Sequence, residues 1–375
     1  MALINYLTRI QFDFGAVALL ADELHALDVG RPLIVTDQGI VAAGLVAQVR
    51  TAVPSATPVF HDTPPNPTED AVDAALAVYR DAGCDGMVAV GGGSSIDLAK
   101  GVALLATHDG TLEQYAAILG GMSKITPAVA PLVAVPTTAG TGSEVGRAAL
   151  IALRDGRKLG FIAPYMIPNT AICDPELTLG LPSGLTAATG MDALTHCIET
   201  FLSPRDNVPA DAIALDGVAR AVRWIEKAVA DGTDRDARWN MMMASLQGGL
   251  TFQKGLGAVH AMSHPLGGLR DPVLHHGTLN AVILPAVLRF NVGHVGDKFA
   301  RLAAAMGLPA GGDLAEAIEA LNRRLGLPAS LREMGVTDDV IPRMVEGAVA
   351  DHSTATNPRP VGAADYEALF AAALS

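Results

Sequence analysis

The chain has 375 residues, a net charge of −13 and a pI near 5.1. Half of it is apolar and 17% is charged, which favours a compact globule over a disordered chain. The acidic balance, with no basic stripe, argues against a nucleic-acid partner, and Cys84, Cys173 and Cys197, an odd number with no CxxC, argue against a disulfide framework or a zinc ribbon.

In chain order, short β-branched runs at Pro32–Thr36, Pro58–Phe60, Gly86–Val90 and Leu132–Val135 read as buried strands. Helix patterns separate them over Val17–Leu27, Ile40–Arg50, Thr68–Ala82 and Ser95–Thr107. This alternation predicts a parallel sheet covered on both faces. Ala148–Leu153, a turn at Arg154-Asp-Gly-Arg157, and Lys158–Ile162 read as a hairpin. After Pro182 the composition turns to Ala, Leu and Met at helical periods, with Ser183 placed to cap a helix reaching Thr200. Further helices are predicted over Ala210–Asp231, Ala237–Phe252, Gly255–His264 and His276–Phe290, with more to the C-terminus. The expected organisation is an α/β dinucleotide-binding domain over 1–180 and an all-helical domain over 181–375, with the site in the cleft between them. The first ten residues do not read as a signal peptide, and no stretch approaches eighteen uninterrupted apolar residues. The expectation is a cytoplasmic protein with no membrane partner.

Two loops carry glycine signals. Val88-Ala-Val90 runs into Gly91-Gly-Gly-Ser-Ser95, where bare backbone before a helix N-terminus suits a pyrophosphate. Pro136-Thr-Thr-Ala-Gly-Thr-Gly-Ser-Glu144 follows a second strand and offers hydroxyls to ribose, amide or phosphate oxygens. Asp37, at a strand end, reads either as a ribose-binding carboxylate that repels a 2′-phosphate, favouring NAD over NADP, or as a helix N-cap.

Five further side chains point to a metal. Asp192 and His196 stand at i and i+4 on one predicted helix, His260 and His264 repeat the relation on another, and His276 begins a third. A carboxylate with imidazoles suits Fe(II), Zn(II) or a similar divalent ion, and not all five can be ligands if a position is to stay open.

These segments, Gly91–Lys100, Pro136–Glu144, Ala187–His196, Gly255–Gly267, His276–Ala281 and Asn357-Pro-Arg359, resemble the iron-containing (group III) alcohol dehydrogenases nearly end to end. The resemblance implies an NAD-linked dehydrogenase, with the dehydroquinate synthase-like fold of an α/β domain and a helical metal domain, usually assembled as a homodimer or larger. It implies Asp192, His196, His260 and His276 as ligands to Fe2+ or Zn2+, with His276 chosen over the adjacent His275. His264 then becomes a proton relay near the nicotinamide. Asn66, Gly92, Gly93, Ser94, Thr137, Thr138, Thr141 and Lys158 become cofactor contacts.

The opening Tyr6–Gly15 and Phe252-Gln-Lys254 resemble the members of that family acting on 4-hydroxybutyrate. Lys254 is the expected partner of a substrate carboxylate, with Arg147 and Arg270 as further cations. The reaction expected is reversible oxidation of a short primary alcohol, 4-hydroxybutyrate to succinic semialdehyde. The alternatives are a general short-chain alcohol or lactaldehyde-type dehydrogenase, or a lyase resembling dehydroquinate synthase.

Overall fold

The computed structural model describes residues 4, 6, 8–269 and 271–375. The chain forms two compact units. One comprises Tyr6–Thr138 with Gly142–Gly180, and the other Leu181–Ser375 with Ala139–Thr141. Three residues of the Thr-rich loop therefore group with the helical unit, although they precede it in sequence.

The first unit runs β1 (Arg9–Phe12), α1 (Leu20–Ala26), β2 (Pro32–Val35), α2 (Gln38–Ala42), α3 (Leu45–Arg50), β3 (Val59–Phe60), α4 (Glu69–Asp81), β4 (Gly86–Gly91), α5 (Gly93–Leu105), β5 (Leu132–Pro136), β6 (Ala148–Ala152), β7 (Lys158–Ile162) and β8 (Thr170–Cys173). Among the described residues, six strands form a parallel sheet in the order β1-β8-β5-β4-β2-β3, and β6 and β7 form the predicted antiparallel hairpin. Alternation along the strands sorts the core into two layers. Leu33, Val35, Met87, Ala89, Leu132 and Ala134 pack with α4, α5 and the hairpin. Ile34, Val88, Val90, Val133, Val135 and Ile172 pack with α1 and α3 on the other face.

Two features depart from the sequence reading. The single helix expected over Ile40–Arg50 is broken at Gly44, whose φ of 75° lies in the left-handed region. Strands β1 and β8 have no counterpart in the sequence pattern. Each has only four residues, and β1 has a mixed, half-exposed pattern. They are joined by Glu23 of α1, which accepts from Gln11 at 2.7 Å and from Thr170 at 2.9 Å.

The second unit comprises α6 (Ser183–Leu202), α7 (Val208–Ala230), α8 (Arg235–Leu250), α9 (Ala258–Leu266), α10 (His276–Asn291), α11 (Lys298–Ala305), α12 (Leu314–Arg324), α13 (Ile341–Ala350) and α14 (Ala363–Leu374). Helix α6 is buried from Thr186 to Leu202. Ser183 is its first residue rather than its cap, a place taken by Pro182. The first turn is tied instead by the Arg238 guanidinium, which donates to Thr186 Oγ1 at 2.8 Å and to the Leu181 carbonyl at 3.1 Å. No described helix is long and apolar enough to cross a membrane.

The Asn357-Pro-Arg359 segment acts as a clamp. Buried Asn357 accepts from the Ala258 N–H at the start of α9 and from Asn291 at the end of α10, both at 3.2 Å. Its amide donates to Asn291 Oδ1 at 2.9 Å and to the Arg359 carbonyl at 2.7 Å. Asn357→Ala is expected to cost on the order of 2–3 kcal/mol, because it leaves buried partners unpaired. Denaturant unfolding followed by circular dichroism checks this, and an unchanged midpoint would refute the clamp.

Candidate metal centre and cofactor loops

Helix α6 sets the metal centre. Asp192, His196 and Glu199 recur at four and three residues along it, so they share one face, and all three are buried. Helix α9 brings His260 and the first residue of α10 is His276. The close approach of α10 to α6 depends on Gly277, where a Cβ would lie 2.2 Å from the Ala188 carbonyl oxygen.

Around Asp192 Oδ1 the Nε2 atoms of His196, His276 and His260 stand at 3.6, 3.8 and 3.9 Å. All four donor atoms lie within 4.8 Å of one another. Tetrahedral ligands at bond lengths of 2.0–2.2 Å stand roughly 3.4 Å apart, so small side-chain movements would let the set hold a divalent ion. Two tautomers are already set for that role. His260 Nδ1 is 2.6 Å from Glu199 Oε2, and His196 Nδ1 is 3.2 Å from the Gly140 carbonyl oxygen. A proton held on each Nδ1 leaves the Nε2 lone pair facing Asp192. Burial, reinforced by His196 and His264, holds His260 well below the usual histidine range, which keeps it neutral. His275, which competed with His276 in the sequence, is exposed and contacts Thr278 Oγ1 at 3.4 Å instead.

Three residues of this centre were not singled out by sequence. Glu199 is enclosed by the core, and burial pushes its carboxyl up to about 7 against the opposing N–H groups of Val259 and Gly257. A cation among the neighbouring donors favours its ionised form. Asn280 donates to Asp192 Oδ1 at 2.7 Å, and its Nδ2 lies 3.1 Å from Nε2 of both His260 and His276. Asp351 accepts from His264 Nδ1 at 2.8 Å. Although burial works against it, His264, with help from His352, holds the Asp351 carboxyl well below the usual carboxylate range. Glu199 sits three residues beyond His196, a spacing that could have marked it. Asn280 and Asp351 carry no local signal of their roles.

His264 lies outside the donor set, with its ring parallel to that of His276 at 5.6 Å between centroids. Its Nε2 is buried and has no hydrogen-bond partner.

Lys254 corrects the sequence reading. Its side chain is fully buried, its Nζ is paired with Asp211 Oδ1, and it donates to the Phe201 carbonyl at 3.3 Å. Lys298 donates to the next two carbonyls, Leu202 at 3.3 Å and Ser203 at 2.7 Å. Both lysines neutralise the negative end of α6. With its charge compensated by Asp211, Lys254 is not free to meet a substrate carboxylate. Arg147 belongs to the α/β unit, and Arg270 lies outside the described residues.

The α/β unit holds the other loops. Helix α5 begins at Gly93 with Gly92 as its N-cap and no side chain capping it, so its first N–H groups face outward from the turn. Gly91 has φ 152°, and a Cβ there would fall 2.5 Å from Ser95 Oγ. A Cβ on Gly92 would meet Thr138 Oγ1 at 3.3 Å. Ser94 Oγ donates to the Pro65 carbonyl, and the adjacent Asn66 Oδ1 accepts from Lys158 Nζ at 2.9 Å. The Thr137 N–H donates to the Gly91 carbonyl at 3.0 Å, while its buried Oγ1 has no partner. Asp37 caps α2 through the Ile40 N–H at 2.9 Å, and its other oxygen lies 3.4 Å from Ser95 Oγ. The start of α5 thus gathers Asp37, Gly92, Gly93, Ser94, Thr137 and Thr138, with Asn66 and Lys158 as a neighbouring pair. Thr141 groups with the helical unit. Open N–H groups beside bare glycines and an unpartnered hydroxyl fit the pyrophosphate of a dinucleotide.

Comparison with known proteins agrees with this geometry. A family model described as iron-containing alcohol dehydrogenase matches residues 8–175, and one for the C-terminal part of the same family matches residues 186–374. A 4-hydroxybutyrate dehydrogenase of Cupriavidus necator is 58% identical over 99% of each chain. A solved 1,3-propanediol oxidoreductase superposes with a TM-score of 0.92 at 38% identity, covering 100% of both chains. A sulfoacetaldehyde reductase from Bifidobacterium kashiwanohense, solved in complex with NAD+, gives 0.89 at 29% identity over 100% of both chains. With both units matched, and with the glycine turn in one and the cluster of one aspartate and three histidines in the other, the chain belongs to the iron-containing alcohol dehydrogenase family.

Proposed function

We propose that this protein interconverts 4-hydroxybutyrate and succinic semialdehyde, using NAD and a divalent ion, iron(II) first and zinc(II) as the alternative that the same donors accept. One observation carries the chemistry: three imidazoles and a carboxylate converge in one cluster, two of the imidazoles with Nδ1 already on an acceptor. The 58% identity to a 4-hydroxybutyrate dehydrogenase supports the substrate.

The division of labour follows from the residues. Asp192, His196, His260 and His276 hold the ion, and Asn280 fixes the Asp192 carboxylate by donating to it. A divalent ion held there would supply Lewis acidity toward the alcohol oxygen, and NAD would supply the hydride acceptor. His264 takes the hydroxyl proton at Nε2, because Asp351 holds its Nδ1. The N–H groups at the start of α5 bind the pyrophosphate, and Thr137, Thr138, Asn66 and Lys158 complete the cofactor contacts of the α/β unit. Asp37 carries its negative charge beside Ser95, where it disfavours a 2′-phosphate.

A second reading, a dehydrogenase of uncharged short alcohols, is favoured by one observation. Lys254, the cation that sequence assigned to the substrate carboxylate, is paired with Asp211.

Steady-state assays of reduced-cofactor absorbance separate the two. With iron-loaded protein and NAD, kcat/KM for 4-hydroxybutyrate is expected to exceed that for butanol by roughly tenfold or more, about 1.4 kcal/mol of discrimination. A preference for butanol would select the second reading. Lys254→Met should lower thermal stability yet leave the ratio of the two KM values unchanged. A selective rise in KM for 4-hydroxybutyrate would restore Lys254 to the substrate site. His264→Ala should lower kcat by about 10²–10⁴-fold with the metal still bound, so a wild-type kcat would remove the relay. Gly91→Ala should weaken NAD binding in fluorescence titrations by roughly tenfold, since a Cβ at φ 152° strains the turn.

A further inference from the structure

The carboxylate of Glu199 takes no part in the chemistry above, yet it is buried against a ligand. Oε2 takes the Nδ1–H of His260 at 2.6 Å, and Oε1 takes the Val259 N–H at 2.8 Å. Both oxygens are therefore engaged with consecutive residues of α9, while the carboxylate itself stands on α6. A side chain at Gly257 is excluded, because a Cβ there would come within 2.8 Å of Oε1. His196 has only the neutral Gly140 carbonyl in the equivalent place, at 3.2 Å.

We propose that Glu199 is the positioning residue that governs metal retention, by holding His260 in the one tautomer that can bind an ion and by locking the start of α9 to the helix that carries Asp192 and His196. The proposal rests on the reading of Asp192, His196, His260 and His276 as ligands. The Val259 N–H and the His260 Nδ1–H meet different oxygens of Glu199, and a carboxylate supplies an acceptor to each. A glutamine of the same shape supplies one. In Glu199→Gln the amide group must oppose either the Val259 N–H or the His260 Nδ1–H. The first choice releases the start of α9. The second moves the imidazole proton to Nε2, the atom needed for the ion. A carboxylate acceptor also makes the opposite ring nitrogen a better donor to the metal, which a neutral amide does less well.

The test uses the full chain and needs no turnover. Zn(II) affinity is measured by competition with a chromophoric chelator, and Co(II) is added to read its visible d–d absorption. Glu199→Gln and Glu199→Ala are expected to bind Zn(II) roughly 10–100-fold more weakly than wild type, with an altered Co(II) spectrum. Glu199→Asp should recover part of the loss. If Glu199→Gln binds Zn(II) like wild type with an unchanged Co(II) spectrum, the proposal fails while the ligand assignment stands. If wild type itself binds neither ion, the ligand assignment and the proposed function fail together. Should the variants not fold, nitrogen-15 NMR of metal-free wild type decides: an Nδ1–H tautomer at His260 supports the proposal, and an Nε2–H tautomer overturns it.

Discussion

The structure depends on placing one carboxylate and three imidazoles in an apolar helical core without leaving them unanswered. Buried polar groups destabilise a fold unless every donor meets an acceptor. Here the outward-facing nitrogens of His196 and His260 and one oxygen of Asp192 each have a protein partner: Gly140, Glu199 and Asn280. The Nε2 atoms of His196, His260 and His276 face Asp192 Oδ1, with Asn280 Nδ2 3.1 Å from those of His260 and His276, an arrangement that a cation would stabilise. The length of α6, its small residues and the glycine at the start of α10 follow from the need to bring three helices this close.

Satisfying that constraint also explains residues whose roles lie elsewhere. Lys254 and Lys298 sit at the carbonyl end of α6 and neutralise its dipole. Asn357 serves the start of α9 and the end of α10, the two helices that contribute His260 and His276. The motif residues around the centre thus divide between the candidate ligands and those that keep the helices in register.

Much of this was legible in the chain. The short β-branched runs marked β2, β4 and β5 because both faces of those strands are buried, and the i, i+4 spacing of Asp192 with His196 marked one face of a helix. The glycine run after β4 announced an open helix N-terminus. What escaped had no local signature. Strands β1 and β8 are four residues each and are secured by Glu23 from a helix between them in sequence. Asp351 lies 87 residues from His264, and Asn280 lies 88 from Asp192. Lys254 misled because sequence shows that a cation is nearby but not which way its side chain turns. Only the three-dimensional contact with Asp211 reveals that it points to a helix end.

The late position of Asp351 and Asn357 in the chain order bears on biosynthesis. During translation α6, α9 and α10 leave the ribosome before the residues that secure α9 and orient His264. A nascent chain that has exposed all four candidate ligands therefore still lacks two of the contacts that align their surroundings. The contacts of Asn357 with the start of α9 and the end of α10 are therefore made only near the end of synthesis.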